Sequence, residues 1–257
     1  MVVAIHYRSA TVAAALAVLA AAGVRAEPAC TVAAAGSAEV ARNGTPVELP
    51  ALLEDCSGLR VQRGKASVCV QDRRGRLDCR TLKAVSTVTA AAFSSGTGRG
   101  WLESLFALLK GDPTMATAVT RGEPPQMLLP SGPLLLAAGR LQIDFNDPAA
   151  AGMQRVVFRN VDGGQVVASV EAYGIQRVAA SRFAVGRAYA WEAQTADGMR
   201  VGRFHRVDPA SVSPRFHAGT ANADAAARAL EQAAWLQDRG FAYEARQALR
   251  QAGFTQR

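Results

Sequence analysis

Residues 66–82, ASVCVQDRRGRLDCRTL, set two cysteines ten positions apart around a turn crowded with arginine. Such a stretch is a metal site, a redox centre or a cross-linked hairpin, and spacing separates the three. Zinc ligands come in close pairs such as C-x2-C, whereas the gaps between Cys30, Cys56, Cys69 and Cys79 hold 25, 12 and 9 residues. The redox pattern C-x-x-C is absent. A hairpin accounts for the stretch locally. If Arg73-Arg74-Gly75 forms a three-residue loop, Gly75 takes the left-handed position such loops require. Gln71 then faces Leu77, Val70 faces Asp78 and Cys69 faces Cys79. Pair types alternate outward from the loop, so the cysteines form a non-hydrogen-bonded pair with Cα atoms about 4.5 Å apart. A disulfide bridges that distance at the short end of its range. Cys30 and Cys56 would make the second bond. A loop one residue longer breaks this register and lets Cys56 capture Cys79, so both connectivities stay open at this level.

An even cysteine count fits disulfides where the chain is exported, and the N-terminus supports export. Arg8 precedes an uncharged apolar run over residues 11–24, and Val24-Arg25-Ala26 offers a small-residue exit. This is the form of a secretory signal, cleaved near Ala26. As a helix the run reaches only about 21 Å, short of a hydrocarbon core of about 30 Å. No later segment is long and apolar enough to span, so the expected location is periplasmic or secreted. A chain that is 49% hydrophobic and 19% charged has the composition of a packed protein.

The charge is concentrated. Arg60, Arg63, Lys65, Arg73, Arg74, Arg76, Arg80 and Lys83 stand against only Asp72 and Asp78, while the whole chain carries +8. Because Arg8 and Arg25 leave with the signal, this hairpin region holds all the remaining excess. Such asymmetry can concentrate an anionic partner, here an anionic envelope polymer or a lipid head group. The competing reading is a solvated ribbon whose charges guard a strand edge. Nucleic acid is not expected, since no aromatic residue is available there for base stacking.

Along the chain the expected organisation is a mainly β protein in several parts: a signal peptide (1–26), a disulfide-stapled β-domain (27–92), a short helix and Pro-rich linker (93–133), a β-sandwich (134–209) and a helical hairpin (218–254). Asn43-Gly44 within EVARNGTPVEL is a hairpin turn; LRVQRG, KASVCVQ, LDCRTLKAV and STVTAAAF continue as strands. A basic strand, a glycine break and a meander over residues 38–92 resemble the FecR-like β-domains of bacterial envelope proteins. WLESLFALLKG reads as an amphipathic helix with Trp101, Leu102, Leu105, Phe106, Leu108 and Leu109 on its apolar face. About seven short strands fill 134–208 at near-even spacing. Their ending, FAVGRAYAWEAQTADGMRVGRFHRV, resembles the last strands of immunoglobulin-like or fibronectin-type-III-like modules, through Gly186, Tyr189, Trp191, Gly198, Gly202 and Phe204. In the tail, Asn222 or Asp224 is the candidate N-cap and Gly240 the break. Ala233, Leu236, Gly240, Ala245 and Leu249 resemble the packing positions of one tetratricopeptide-type hairpin. A lone hairpin cannot bury its own face, so it should dock on the β-sandwich or on another protein.

These features imply a binding or scaffold protein of the envelope, not an enzyme, with another envelope protein as partner and no cofactor or metal. The rival is a carbohydrate-binding module or a hydrolase acting on envelope polysaccharide. It would use Tyr189 and Trp191, two apart on one strand face, as a stacking platform, with Asp144 and Asp147 as a carboxylate pair. Against it, the aromatics fit a hydrophobic core better than a platform, and a strand-end turn explains the aspartates. His205 and His217 are the only conventional bases of the exported chain, and neither lies in a catalytic motif.

Overall fold

The computed structural model describes residues 29–54, 56–71, 77–88, 100–110, 129–147, 150–196, 198–212 and 224–254. The first part is built from β1 (Cys30–Ala33), β2 (Glu39–Arg42), β3 (Thr45–Val47), β4 (Ala51–Leu53), β5 (Leu59–Arg63), β6 (Lys65–Gln71) and β7 (Leu77–Lys83). They make a four-stranded antiparallel sheet, β4-β1-β6-β7, and a three-stranded one, β3-β2-β5. Val32, Val40, Leu59, Val61, Val68 and Val70 fill the space between them. Asn43 and Gly44 both have positive φ, 49° and 85°, as a two-residue hairpin turn demands. β1 was not foreseen. Its four residues are all buried, so the polar/apolar alternation that reveals a strand is missing. β4 is similarly short and featureless, and also escaped prediction.

The hairpin of the opening stretch has the register expected of it: Gln71 pairs with Leu77, Val70 with Asp78 and Cys69 with Cys79. Cys69–Cys79 is a disulfide with Cα atoms 4.1 Å apart, and Cys30–Cys56 is the other, at 5.7 Å. The alternative in which Cys56 takes Cys79 is excluded. Residues 72–76, the loop itself, lie outside the described residues.

The second β-rich part comprises β8 (Gly132–Leu134), β9 (Arg140–Asp144), β10 (Met153–Asn160), β11 (Val166–Glu171), β12 (Ile175–Ala179), β13 (Ala188–Thr195) and β14 (Gly198–Arg206). Five of them form the sheet β11-β10-β13-β14-β8, mixed because β8 runs parallel to β14; β12 and β9 form a separate pair. Leu141, Ile143 and Val178 from the pair share one apolar cluster with Val156, Phe158, Trp191 and Phe204 from the larger sheet. Leu129 belongs to it as well, fully buried, so this core begins ahead of residue 134. Gly202 has a local reason: a Cβ there would sit 2.3 Å from the ring of Trp191, its direct neighbour across the strands.

Among the described residues, three α-helices complete the fold. α1 (Gly100–Lys110) buries Leu102, Leu105, Leu108 and Leu109, packing on β1, β4 and β6. The hairpin consists of α2 (Ala225–Asp238) and α3 (Ala242–Gln251). Asp224, not Asn222, is the N-cap, accepting from the Ala227 N–H at 2.9 Å, and Gly240 turns the chain at φ 80°. The hairpin was expected on the second β part or on another protein. It does reach the second β part, and it also packs on the first. α2 lies on α1, β6 and β7, and α3 reaches β8. The small side chains of Ala227, Ala233 and Ala234, all buried, let α2 approach the sheet closely.

Candidate functional site

The polar side chains of the hairpin converge on sheet edges. β7 is the last strand of its sheet, and its Cys79 N–H donates to Glu231 Oε1 of α2 at 3.3 Å. Nearby, Thr81 Oγ1 donates to Asp224 Oδ1 at 2.6 Å. Burial raises the Asp224 pKa, but the bonds from Ala227 and Thr81 outweigh it and leave the carboxyl below its ordinary value. On the other side Glu244 Oε1 accepts from the N–H groups of Leu135 and Leu136 at 2.7 and 3.3 Å, where the chain leaves β8. The Tyr243 hydroxyl donates to the Gln142 carbonyl of β9, and Arg250 pairs with Asp147. Carboxylates and a phenol thus satisfy backbone groups that a sheet edge under a helix would leave bare.

Between these contacts runs a groove of about 540 Å³, with Arg140, Gln142, Arg228, Gln232, Glu244 and Gln247 among its lining. Burial pushes the Glu244 carboxyl up to about 7, only partly offset by the two backbone donors. Its Oε2 is buried with no hydrogen-bond partner, which is where the retained proton would sit. Burial also raises Tyr243 and lowers Arg246 to about 10.

Among the described residues, the foreseen basic side chains do not share one surface. Lys65 and Lys83 face each other across β6 and β7, on the side that carries Cys69 and Cys79. Arg80 lies on the opposite side and pairs with Asp78 at 2.9 Å. Arg63 approaches Glu39 at 3.6 Å, and Arg60 is exposed on β5. Arg73, Arg74 and Arg76 lie outside the described residues.

The aromatic pair is internal: Tyr189 and Trp191 are both 3% exposed. Trp191 Nε1 donates to the Pro130 carbonyl at 2.6 Å, and the Tyr189 hydroxyl accepts from the Ala184 N–H at 2.6 Å. Neither ring is available to stack on a sugar. Asp144 accepts from the backbone and side-chain nitrogens of Asn146 at 3.0 and 2.9 Å, fixing a turn. Asp147 is held by Arg250. His205 is exposed on β14, and His217 lies outside the described residues. Among the described residues no three His, Cys, Asp or Glu side chains converge as metal ligands would. No described helix is long and apolar enough to cross a membrane.

Glu231, Tyr243, Glu244 and Arg250 were not singled out from sequence. For Glu231 a signal existed: it is one turn from Ala227 and Ala234 and so lies inside the apolar stripe of its helix. A carboxylate there must find a buried donor. No family model matches the chain, and no curated protein matches it.

Proposed function

We propose that this chain is an exported envelope protein acting as a non-enzymatic binding or scaffold module. The observation that carries the proposal is the hairpin α2–α3, whose buried polar side chains tie it to β7 on one side and to Leu135, Leu136, Gln142 and Asp147 on the other. A helical layer fastened to two β parts holds them at a set spacing, as a scaffold requires. The groups that the polysaccharide-binding rival needs are committed elsewhere, the aromatics to a core and the aspartates to a turn and an ion pair.

Within this proposal the second β part is an immunoglobulin-like module. Its strand order supports that reading. Taken in sequence as A, B, C, C′, E, F and G, the strands β8 to β14 give a B–E pair opposed to a C′-C-F-G-A sheet, with A joined to G in parallel. The bond from Ala184 to the Tyr189 hydroxyl, five residues along, has the character of the tyrosine corner found at the start of strand F. The FecR-like reading of residues 38–92 rests on strand order and the basic hairpin alone.

The test uses the full chain expressed with its N-terminus intact. The expected products are a species processed near Ala26 with no free thiol by mass spectrometry, and no heat on titration with envelope polysaccharide fragments. An unprocessed N-terminus would remove the export claim, and saccharide binding or cleavage would install the rival. Reversing Arg73, Arg74 and Arg76 to Glu reports on the basic hairpin. Lost retention on anionic vesicles assigns it a contact; unchanged retention assigns it to edge protection.

A further inference from the structure

β11 is an outer strand of the five-stranded sheet, and among the described residues nothing pairs with its far side. Its backbone orientation follows from one bond. The Ala172 N–H donates to the Gln154 carbonyl at 2.9 Å, continuing the register Arg155–Glu171, Val156–Val170, Val157–Ser169. Bonded and non-bonded pairs alternate. Val170 and Ala168 therefore turn their N–H and C=O toward β10, while those of Ser169 and Glu171 point off the sheet. The Glu171 carbonyl agrees with this, since it is free to accept from the Tyr173 N–H at 3.0 Å.

The side chains along that edge do not repel a second strand. Lysine and proline, which guard many edges, are absent from Val166–Glu171, and Glu171 is its single charge. Large apolar groups are exposed at both ends: Val166 at 48%, Tyr173 at 70% and Ile175 at 43%. On the outer face Arg155 donates to Ser169 Oγ at 2.8 Å and lies 4.0 Å from Glu171.

We propose that the occupant of this edge is a second copy of the chain, joined antiparallel about a two-fold axis at Val170. In that register Ser169 faces Glu171 of the second copy, and Glu171 faces its Ser169. The Glu171 N–H meets the Ser169 carbonyl of the other copy, and the Ser169 N–H meets the Glu171 carbonyl on its second lone pair, beside the Tyr173 N–H that it already accepts. Each Glu171 carboxylate arrives beside the Ser169 hydroxyl and the Arg155 guanidinium of the other copy, so the edge is complementary to itself in charge. Val166 lies against the Tyr173–Ile175 turn of the other copy, which covers the exposed apolar groups at both ends. The bulge between Phe158 and Arg159 falls ahead of Ala168 and leaves this register undisturbed. The contact is isologous and closes on itself, giving one continuous sheet across two molecules by strand addition. It goes beyond the scaffold reading and does not depend on export.

Sedimentation equilibrium of the full chain, from micromolar to near-millimolar, tests it. The wild type is expected to dimerise. Ser169→Pro removes an N–H that points away from β10, which an edge strand tolerates, and is expected to weaken association by more than about tenfold with an unchanged circular-dichroism spectrum. Glu171→Arg, at an exposed position, is expected to weaken association similarly by placing arginine against Arg155 of the other copy, and decides the matter if the proline variant does not fold. A monomeric wild type over the whole range overturns the proposal and leaves the edge to a strand from another protein. A dimer that survives in the folded variants overturns it equally.

Discussion

Glu231 of the second helix accepts the backbone N–H of Cys79, 152 residues earlier in the chain. Both residues are buried, at 4% and 0% exposure. β7 needs this acceptor because α2 lies over it and keeps water from the N–H. The bond ties the C-terminal hairpin directly to the strand that carries the second disulfide.

Glu231→Ala leaves that N–H buried without a partner and opens a cavity. The expected loss is about 2–4 kcal/mol in urea denaturation. Glu231→Gln keeps an acceptor in place and should recover most of it. Equal stability of the alanine variant and the wild type would show that the bond is incidental.

Glu244 gives the protein a pH dependence of defined sign. Its folded pKa, about 7 against an ordinary 4.5, lies above the unfolded value. The folded state therefore keeps a proton that the unfolded chain releases. Stability from this group is fully present below about pH 4.5 and is lost as pH rises through about 7, by at most about 3 kcal/mol. Glu244→Gln retains the acceptor for Leu135 and Leu136 and removes the titration. Denaturation at pH 5 and pH 8 should show a smaller difference for the variant than for the wild type.

Gly202 is a packing requirement. Gly202→Ala drives a methyl group into the Trp191 ring, and overpacking of this kind costs about 1–3 kcal/mol. A lower melting temperature should be accompanied by altered near-ultraviolet dichroism as the indole shifts. A silent substitution would mean that the sheet gives way more easily than its register suggests.

Asp224 caps α2 and ties it to Thr81. Its lowered pKa means that its stabilisation is present above the ordinary aspartate value and is lost as pH falls through the folded one. Asp224→Ala should cost about 1–2 kcal/mol near neutral pH. Asp224→Asn, which keeps a capping oxygen, should cost less, and an equal loss in both would place the effect on the charge.

Much of this architecture was legible in the chain because it depends on local periods. The Cys69–Cys79 register follows from counting outward from Gly75, the Asn43-Gly44 turn from the backbone it needs, and the α2 start from two capping candidates two residues apart, of which the structure uses Asp224. β13 alternates clearly, with Tyr189, Trp191 and Ala193 buried and the residues between them more open, because one face of its sheet is covered and the other is not. β1 was invisible for the opposite reason, since a strand covered on both faces loses the alternation that marks it. The face of the basic patch could not be read either. Lys65 and Arg80 are close in sequence order but emerge on opposite sides of one ribbon.

By itself, then, the sequence determined most of the strands and helices, the Asn43-Gly44 and Gly240 turns and the register a Gly75 hairpin would give Cys69 and Cys79, because steric and hydrogen-bonding rules act over a few residues. Only the tertiary structure decided that the hairpin spans both β parts and that Glu231, Tyr243 and Glu244 cap sheet edges. Those outcomes turn on which surfaces come together across more than a hundred residues, and no local period records that choice.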